Sequence, residues 1–529
     1  MRSHPKLAQS QHQGWLIALG LLASLSGLVA ASLQSVSSAG IPRSDTAKAS
    51  VTVHLFEWTW SDIAQECESF LGPKGFKAVQ ISPPQEHVVL PERGFPWWQR
   101  YQPVSYQLVS RSGNRAQLQA MINRCRQAGV AVYADAVINH MAAIETAVGS
   151  AGTEFRRYHY PGLYRPEDFN PCRLPITDYQ DAEQVTQCEL VSLPDLNTTS
   201  AHVQSTLAQY LTDLASLGIA GFRIDAAKHI HSQDLEGILT QVQAQVEPDP
   251  YIYQEVIDPG MEAIKKRDYY PLGDVVEFEY GRQVSEAFSN MGDLSLADLQ
   301  GLEIDNSLVP SQQAVVFIDN HDKQRGHAGG GTYLTYKDGQ LHTLATVFML
   351  AYPYGKPRIM SSYAFVDSEH GPPADSNGRT RTVHAPDFLG CGTDWVCEHR
   401  QPAVAAMVKF RAATQSVPRV TDWWSNGRNQ IAFGRGDRGF VVINREDIEL
   451  TRTFQSQLPP GQYCEVLHQD IEPSRCDWII TVDEQGQFQA TVGAMDAIAL
   501  LPLKLSSPKR EVHPPSAVSV PAPNQSNRD

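Results

Sequence analysis

Positive charge is scarce in this chain: 43 Lys and Arg stand against 58 Asp and Glu, a net charge of −15 over 529 residues. Nucleic acid and anionic membrane surfaces both reward clustered Lys and Arg, so this balance argues against either as a partner. Repeats of solenoid length are also missing, which excludes a stacked array. The 8 cysteines do not cluster with histidines as zinc ligands do. A glycine-rich stretch at Gly326 and Gly329-Gly330-Gly331 lacks the Lys-Ser/Thr that completes a phosphate cradle, and reads instead as a mobile lid around His327.

What is present is long and orderly. The length exceeds one core and fits a barrel of roughly 250 to 400 residues with an insertion and an appended domain. Arg2 and Lys6 precede an apolar run from Trp15 to Ala31, followed by small residues at Val29-Ala30-Ala31 and Ser37-Ser38-Ala39. That is the layout of a secretory signal peptide over 1–39, cut near 31 or 39, with an uncleaved anchor as the alternative. Strand patterns follow at Val51–Phe56, Ala78–Ile81, Val130–Ala136, Gly221–Asp225, Tyr251–Glu255, Val275–Phe278, Ala314–Asp319 and Arg358–Met360. Helical stripes such as Asn114–Ala128, Ser200–Leu217 and Ser232–Val246 lie between them. Strand and helix in eightfold alternation predict an α/β fold, a (β/α)8 TIM barrel.

The barrel is expected over 50–138 and 205–416, interrupted after its third strand by a Pro-, Tyr- and Asp-rich subdomain at 139–204. After about Gln415 short alternating runs such as Gln430–Phe433 and Gly439–Ile443 predict a C-terminal all-β sandwich over 417–505. The Pro- and Ser-rich end, 506–529, reads as a disordered tail.

Three of the strand patterns end in an acid: Gly221-Phe222-Arg223-Ile224-Asp225, Tyr251-Ile252-Tyr253-Gln254-Glu255, and Val315 to Ile318 followed by Asp319-Asn320-His321-Asp322. The C-terminal rim of a barrel is where loops converge into a site, so acids delivered there suggest two-carboxylate glycoside chemistry with a third supporting acid. Together with Asp135-Ala136-Val137-Ile138-Asn139-His140, these segments resemble the four signature strands of the α-amylase family of glycoside hydrolases. The flanking His54-Leu55-Phe56-Glu57-Trp58, Trp97-Trp98-Gln99-Arg100-Tyr101-Gln102-Pro103 and Met360-Ser361-Ser362-Tyr363 resemble the animal-type, chloride-dependent members, and the likeness runs from about Val51 to Leu505.

The resemblance implies a retaining endo-acting α-amylase on starch, glycogen and related α-glucans, with Asp225 as nucleophile, Glu255 as general acid and base, and Asp322 stabilising the transition state. Arg223, on the same strand face, is expected to keep Asp225 ionised. Trp97, Trp98 and Tyr101 are expected as exposed stacking platforms, with core packing as the alternative. Gln102, Asp135, His140, Arg223, Lys228, His229, His321 and His327 complete the implied sugar-binding set. A transition-metal site at the histidines is the weaker reading, since no pair combines i, i+4 spacing with a third ligand.

A structural Ca²⁺ is implied on the side chains of Asn139 and Asp195 and the carbonyls of Thr186 and His229, with Pro194 and Thr186 as local departures from the animal pattern. An activating Cl⁻ is implied on Arg223, Asn320 and Arg358, the alternative being that both arginines pair with nearby acids. The resemblance also favours the disulfides Cys67–Cys125, Cys172–Cys188, Cys391–Cys397 and Cys464–Cys476. The first of these would join two outer helices through the stripes Ile63, Cys67, Phe70 and Leu118, Met121, Ile122, Cys125. The implied protein is a secreted monomer, extracellular or periplasmic, free of the membrane once its signal is removed. Related readings are glucosyl transfer, action on short maltooligosaccharides, or a non-catalytic barrel ectodomain. The last expects a lost acid, and all three are present.

Overall fold

The computed structural model describes residues 51–384, 391, 394–469 and 476–503. The expected signal segment and tail lie outside them. Eight parallel strands close a barrel: β1 (Thr52–Leu55), β2 (Ala78–Ile81), β3 (Ala131–Ala136), β4 (Gly221–Ile224), β5 (Tyr251–Gln254), β6 (Asp274–Val276), β7 (Ala314–Val316) and β8 (Lys356–Ser361), each paired with its sequence neighbours and β8 with β1. They are apolar and almost wholly buried because helices cover the outside and side chains fill the inside. Gly221 is required where it stands, since a Cβ there would lie 2.6 Å from the Tyr251 carbonyl.

Register explains how the site is assembled. Asp135 on β3 stands opposite Arg223 on β4, which stands opposite Tyr253 on β5. Side chains alternate along a strand, so Asp225 and Glu255, each two residues further on, share the face of Arg223 and Tyr253. Both acids are held by the ladder itself: the amide of Asp225 donates to Ala136 O at 3.0 Å and that of Glu255 to Ile224 O at 3.0 Å.

Two strands are shorter than their sequence patterns. β6 stops at Val276 because Glu277 caps a helix, Phe278–Ser289, its side chain accepting from the amide of Glu279. β7 stops at Val316, and the chain to Asp322 leaves the ladder to line the rim.

The insertion contributes a hairpin, Thr146–Val148 with Glu154–Arg156, and a short helix, Ala182–Gln187, capped by Asp181. A bridge between His140 and Asp195 ties it back to the end of β3. Strands β9 (Thr421–Ser425), β10 (Gln430–Gly434), β11 (Phe440–Asn444), β12 (Leu450–Gln455), β13 (Gly461–Glu465), β14 (Ile479–Val482), β15 (Gln487–Val492) and β16 (Asp496–Pro502) form the C-terminal unit. Six make one sheet, β9-β10-β11-β16-β13-β14, over the ribbon β12-β15. Alternation splits the sheet: Ala432, Phe440, Val442, Ile498 and Leu500 pack on the ribbon, while Ile431, Phe433, Val441, Ile443, Ala497 and Ala499 join the barrel core.

Disulfides link Cys67 to Cys125, Cys172 to Cys188, Cys391 to Cys397 and Cys464 to Cys476. Among the described residues no helix is long and apolar enough to cross a membrane.

Candidate active site

Arg223 is the hub of the barrel mouth. One terminal nitrogen reaches Asp135 at 2.6 Å and Asp225 at 2.8 Å, and the other reaches Glu255 at 2.6 Å. The second Glu255 oxygen accepts from the amide of Ala226 at 2.9 Å. Asp135 also accepts from Tyr101 Oη at 3.0 Å and Gln80 Nε2 at 3.2 Å. One guanidinium thus binds three largely buried carboxyls. Burial, together with the neighbouring Glu255 and Asp135, pushes the Asp225 carboxyl well above the usual range against the pull of Arg223. Arg223 is paired with Asp225 as expected, but its charge is shared among three carboxyls and is opposed by burial. Asp322 behaves alike: burial and then Glu255 push its carboxyl up to about 7.

The aromatic wall is more buried than expected. Trp97 is 6% exposed and Tyr101 9%, because the short 3₁₀ helix Trp97–Tyr101 folds both rings against His321. His321 itself stacks between Tyr101 and Phe56, each with its centroid 5.0 Å away. Only Trp98 keeps a half-exposed ring, under Arg93 and bonded to Glu369. His327 is exposed on the glycine-rich loop, its ring 6.0 Å from that of Trp97. His140 donates to the Tyr101 carbonyl at 2.9 Å, and Gln102 accepts from the amide of Ala143 at 2.9 Å. Lys228 pairs with Glu262 and donates to the Ile257 carbonyl at 2.6 Å, just beyond Glu255.

Two sets were implied for ions. Asp195 is buried and accepts only from amides, Asn139 at 3.1 Å and Asn170 at 2.7 Å, so burial pushes its carboxyl well up. A lone buried carboxylate among amides fits a hard cation that takes oxygen ligands. The imidazole of His229 donates to Val185 O at 2.9 Å, which brings Thr186, the next residue, to the same junction. Among the described residues no three His, Cys, Asp or Glu side chains gather as a metal cluster, and this set contains only one carboxylate.

In the second set, Arg223 Nε and Asn320 Nδ2 are buried donors without an acceptor, and Arg358 donates to Gln80 Oε1 at 2.9 Å. Burial pulls the Arg358 guanidinium down from its usual value. Unfilled donors beside two guanidiniums fit an anion. Pairing with acids holds for Arg223, whereas the hydrogen bond recorded for Arg358 goes to an amide.

Several participants carry no signal of their own in the sequence. Gln80 links Asp135 to Arg358 and also accepts from the Tyr253 hydroxyl. The only available cue was a glutamine inside the buried strand Ala78–Ile81. Asn170, Glu262 and Lys323 had none.

A (β/α)8 barrel with a carboxylate cluster on its C-terminal rim defines a glycoside hydrolase. The comparisons specify it further. The model of the α-amylase catalytic domain matches residues 98–280, and that of the α-amylase C-terminal all-β domain matches 423–502. An α-amylase of Thermomonospora curvata is 46% identical over 496 residues, covering 91% of this chain and 78% of that protein. An α-amylase-related protein of Drosophila melanogaster is 43% identical over 472 residues, covering 86% and 93%. The solved α-amylase I of Eisenia fetida has a TM-score of 0.80 at 38% identity, covering 86% and 97%. The chain belongs to the α-amylase family of glycoside hydrolases.

Proposed function

We propose that this enzyme is an endo-acting α-amylase that cleaves α-1,4-glucosidic bonds of starch and glycogen with retention. The observation that carries the reading is the single Arg223 guanidinium bound by Asp135, Asp225 and Glu255 at adjacent strand ends. Three carboxyls exceed the charge of one guanidinium, so the cluster retains a proton, which is what a general acid requires. Asp225 attacks the anomeric carbon as the glycosidic C–O bond breaks, and Glu255 gives its proton to the departing oxygen. Water then surrenders a proton to Glu255 and displaces Asp225 from the sugar. Retention calls for carboxyls about 5 to 5.5 Å apart, and a shared guanidinium favours that short spacing. Asp322 holds sugar hydroxyls as charge develops, and Trp98, Trp97, Tyr101, His140, Lys228, His229, His321 and His327 bind the chain around the scissile bond. An α-amylase I variant of Eisenia fetida has been solved with maltohexaose, which supports an α-glucan substrate.

Asn139, Asp195 and the carbonyls of Thr186 and His229 would hold Ca²⁺, which supplies a clamp between barrel and insertion. Arg223, Asn320 and Arg358 would hold Cl⁻, whose charge counters the guanidinium field around the acid. Four disulfides and the N-terminal pattern support secretion. The deciding experiment is a product profile on soluble starch with the anomer followed by NMR. Mixed α-configured oligosaccharides are expected, whereas β-anomers or transfer products overturn the reading.

A further inference from the structure

Directly after Asp322 stands a residue that the chemistry above does not use. Lys323 is buried, and its ammonium donates to three successive carbonyls, Ala328 at 2.7 Å, Gly329 at 3.0 Å and Gly330 at 3.2 Å. An ammonium has three donors, and the glycine-rich loop takes all of them. The same ammonium lies over the rings of Tyr333 (4.4 Å to the centroid) and Phe278 (5.7 Å), and Tyr333 is in turn fixed by its hydroxyl to the Phe278 carbonyl at 2.9 Å. Among the described residues no salt bridge to Lys323 is formed, so its hydrogen bonds go to the loop while its charge faces two aromatic rings.

Three carbonyls converge on one point only if the backbone bends sharply. Gly326, Ala328, Gly329 and Gly331 have φ of 76, 60, 81 and 102°, and for Ala328 that left-handed conformation is strained. Strain of this kind persists only where neighbouring contacts hold it. The same loop carries His327, whose amide donates to Asp322 O at 2.9 Å. The acid, the lysine and the loop therefore form one closed ring of contacts at the edge of the site.

We infer that Lys323 is a positioning residue for the proposed glucan hydrolysis: its ammonium latches the loop 326–331 over the cleft before substrate arrives, so that His327 is already placed. The inference rests on the α-glucan reading of this site. Without the latch, substrate must order the loop at its own expense, which weakens binding and leaves the chemistry unchanged.

The test uses the full-length enzyme with Lys323→Met, which keeps an unbranched side chain but removes the charge and every donor, and with Lys323→Arg, which keeps the charge. Two readouts are combined: amide hydrogen exchange of peptides spanning 326–333, and steady-state kinetics on maltoheptaose. In Lys323→Met we expect loop exchange to quicken by about tenfold or more, and KM to rise by about tenfold with kcat within about twofold, the size of one charge-assisted hydrogen bond. Lys323→Arg should lie between Met and the wild type. Unchanged loop exchange or unchanged KM in Lys323→Met overturns the latch. So does a uniform rise in exchange with a lower melting temperature, which marks a merely structural lysine. If the wild type fails to cleave maltoheptaose and soluble starch, the functional reading falls, and loop exchange still decides whether the latch exists.

Discussion

Two buried charge clusters in this barrel have opposite balance. At Glu66 one carboxylate accepts from His399 at 2.9 Å and Arg400 Nε at 2.8 Å, with the His384 ring 3.2 Å away. Donors are in excess: burial favours the neutral acid, but the contacts with His384, His399 and Arg400 outweigh it and hold the carboxyl far below its usual range. At Arg223 the acids are in excess, and burial with mutual repulsion pushes Asp225 and Asp322 up. The first cluster joins the helix Trp60–Glu66 to the turn Glu398–Arg400, more than 300 residues later. The second keeps a proton available at a cost in stability. A buried acid that is overpaired reads as structure, and one that is underpaired reads as chemistry.

The strongest way to break this contrast is to neutralise one acid of each kind. Asp225→Asn should lower kcat on starch by several orders of magnitude with the melting temperature unchanged or higher, since Asn still accepts from Arg223. Glu66→Gln should do the reverse, costing about 3 to 5 kcal/mol of stability by denaturant titration while the folded fraction turns over normally. If Asp225→Asn retained near-normal turnover, the nucleophile assignment would fail. A Glu66→Gln protein of wild-type stability would remove the distinction.

These clusters also show where sequence reading runs out. All eight barrel strands were legible because each is a short apolar run and several end in an acid that the rim needs. Burial of Trp97 and Tyr101 was not, since a five-residue 3₁₀ turn is too short to display a periodicity. The Glu66 cluster was invisible for another reason. Its partners lie on a distant turn, and nothing local distinguishes a glutamate that meets two histidines from one that meets water. The hydrogen bonds from Asn170 to Asp195 and from Gln80 to Asp135 belong to the same class, being contacts created by closure of the barrel and docking of the insertion.

Asp195 gives a third balance, a buried acid whose side-chain partners Asn139 and Asn170 are neutral amides. If Ca²⁺ supplies the missing charge, chelation should lower the melting temperature, and added Ca²⁺ should restore it. By linkage the effect is about 2.7 kcal/mol at a hundredfold excess over Kd. Asp195→Asn should abolish the difference between chelator and calcium. A wild-type midpoint indifferent to chelator would argue that the amides alone suffice.

Asp322 sharpens the comparison through pH. Its folded carboxyl titrates near 7 and its unfolded one near ~3.9. Between those values the unfolded chain has already lost a proton that the folded chain keeps, so stability falls as pH rises across this window. Asp322→Asn removes that slope. It should match the wild type near pH 4 and exceed it at pH 8 by about 2 kcal/mol, after allowance for a side chain 16% exposed. The opposite trend, with the variant weaker at pH 8, would mean that the carboxylate is paired rather than penalised.

The smallest expected effect concerns the anion. Arg223 Nε and Asn320 Nδ2 point unpaired into the interior beside Arg358, so a chloride there adds one negative charge to a cluster already rich in acid. More negative charge makes deprotonation of the cluster harder. Titrating NaCl into halide-free enzyme should therefore raise turnover and carry the alkaline limb of the pH–rate profile upward by about one unit, equivalent to about 1.4 kcal/mol. Arg358→Gln should lose the response while keeping activity at lower pH, where the acid is protonated without help. Nitrate and sulfate at matched ionic strength separate site binding from screening, because screening is indifferent to which anion supplies it. If all salts move the profile equally, the unpaired donors are filled by water and the acid-rich balance around Arg223 sets the proton affinity by itself.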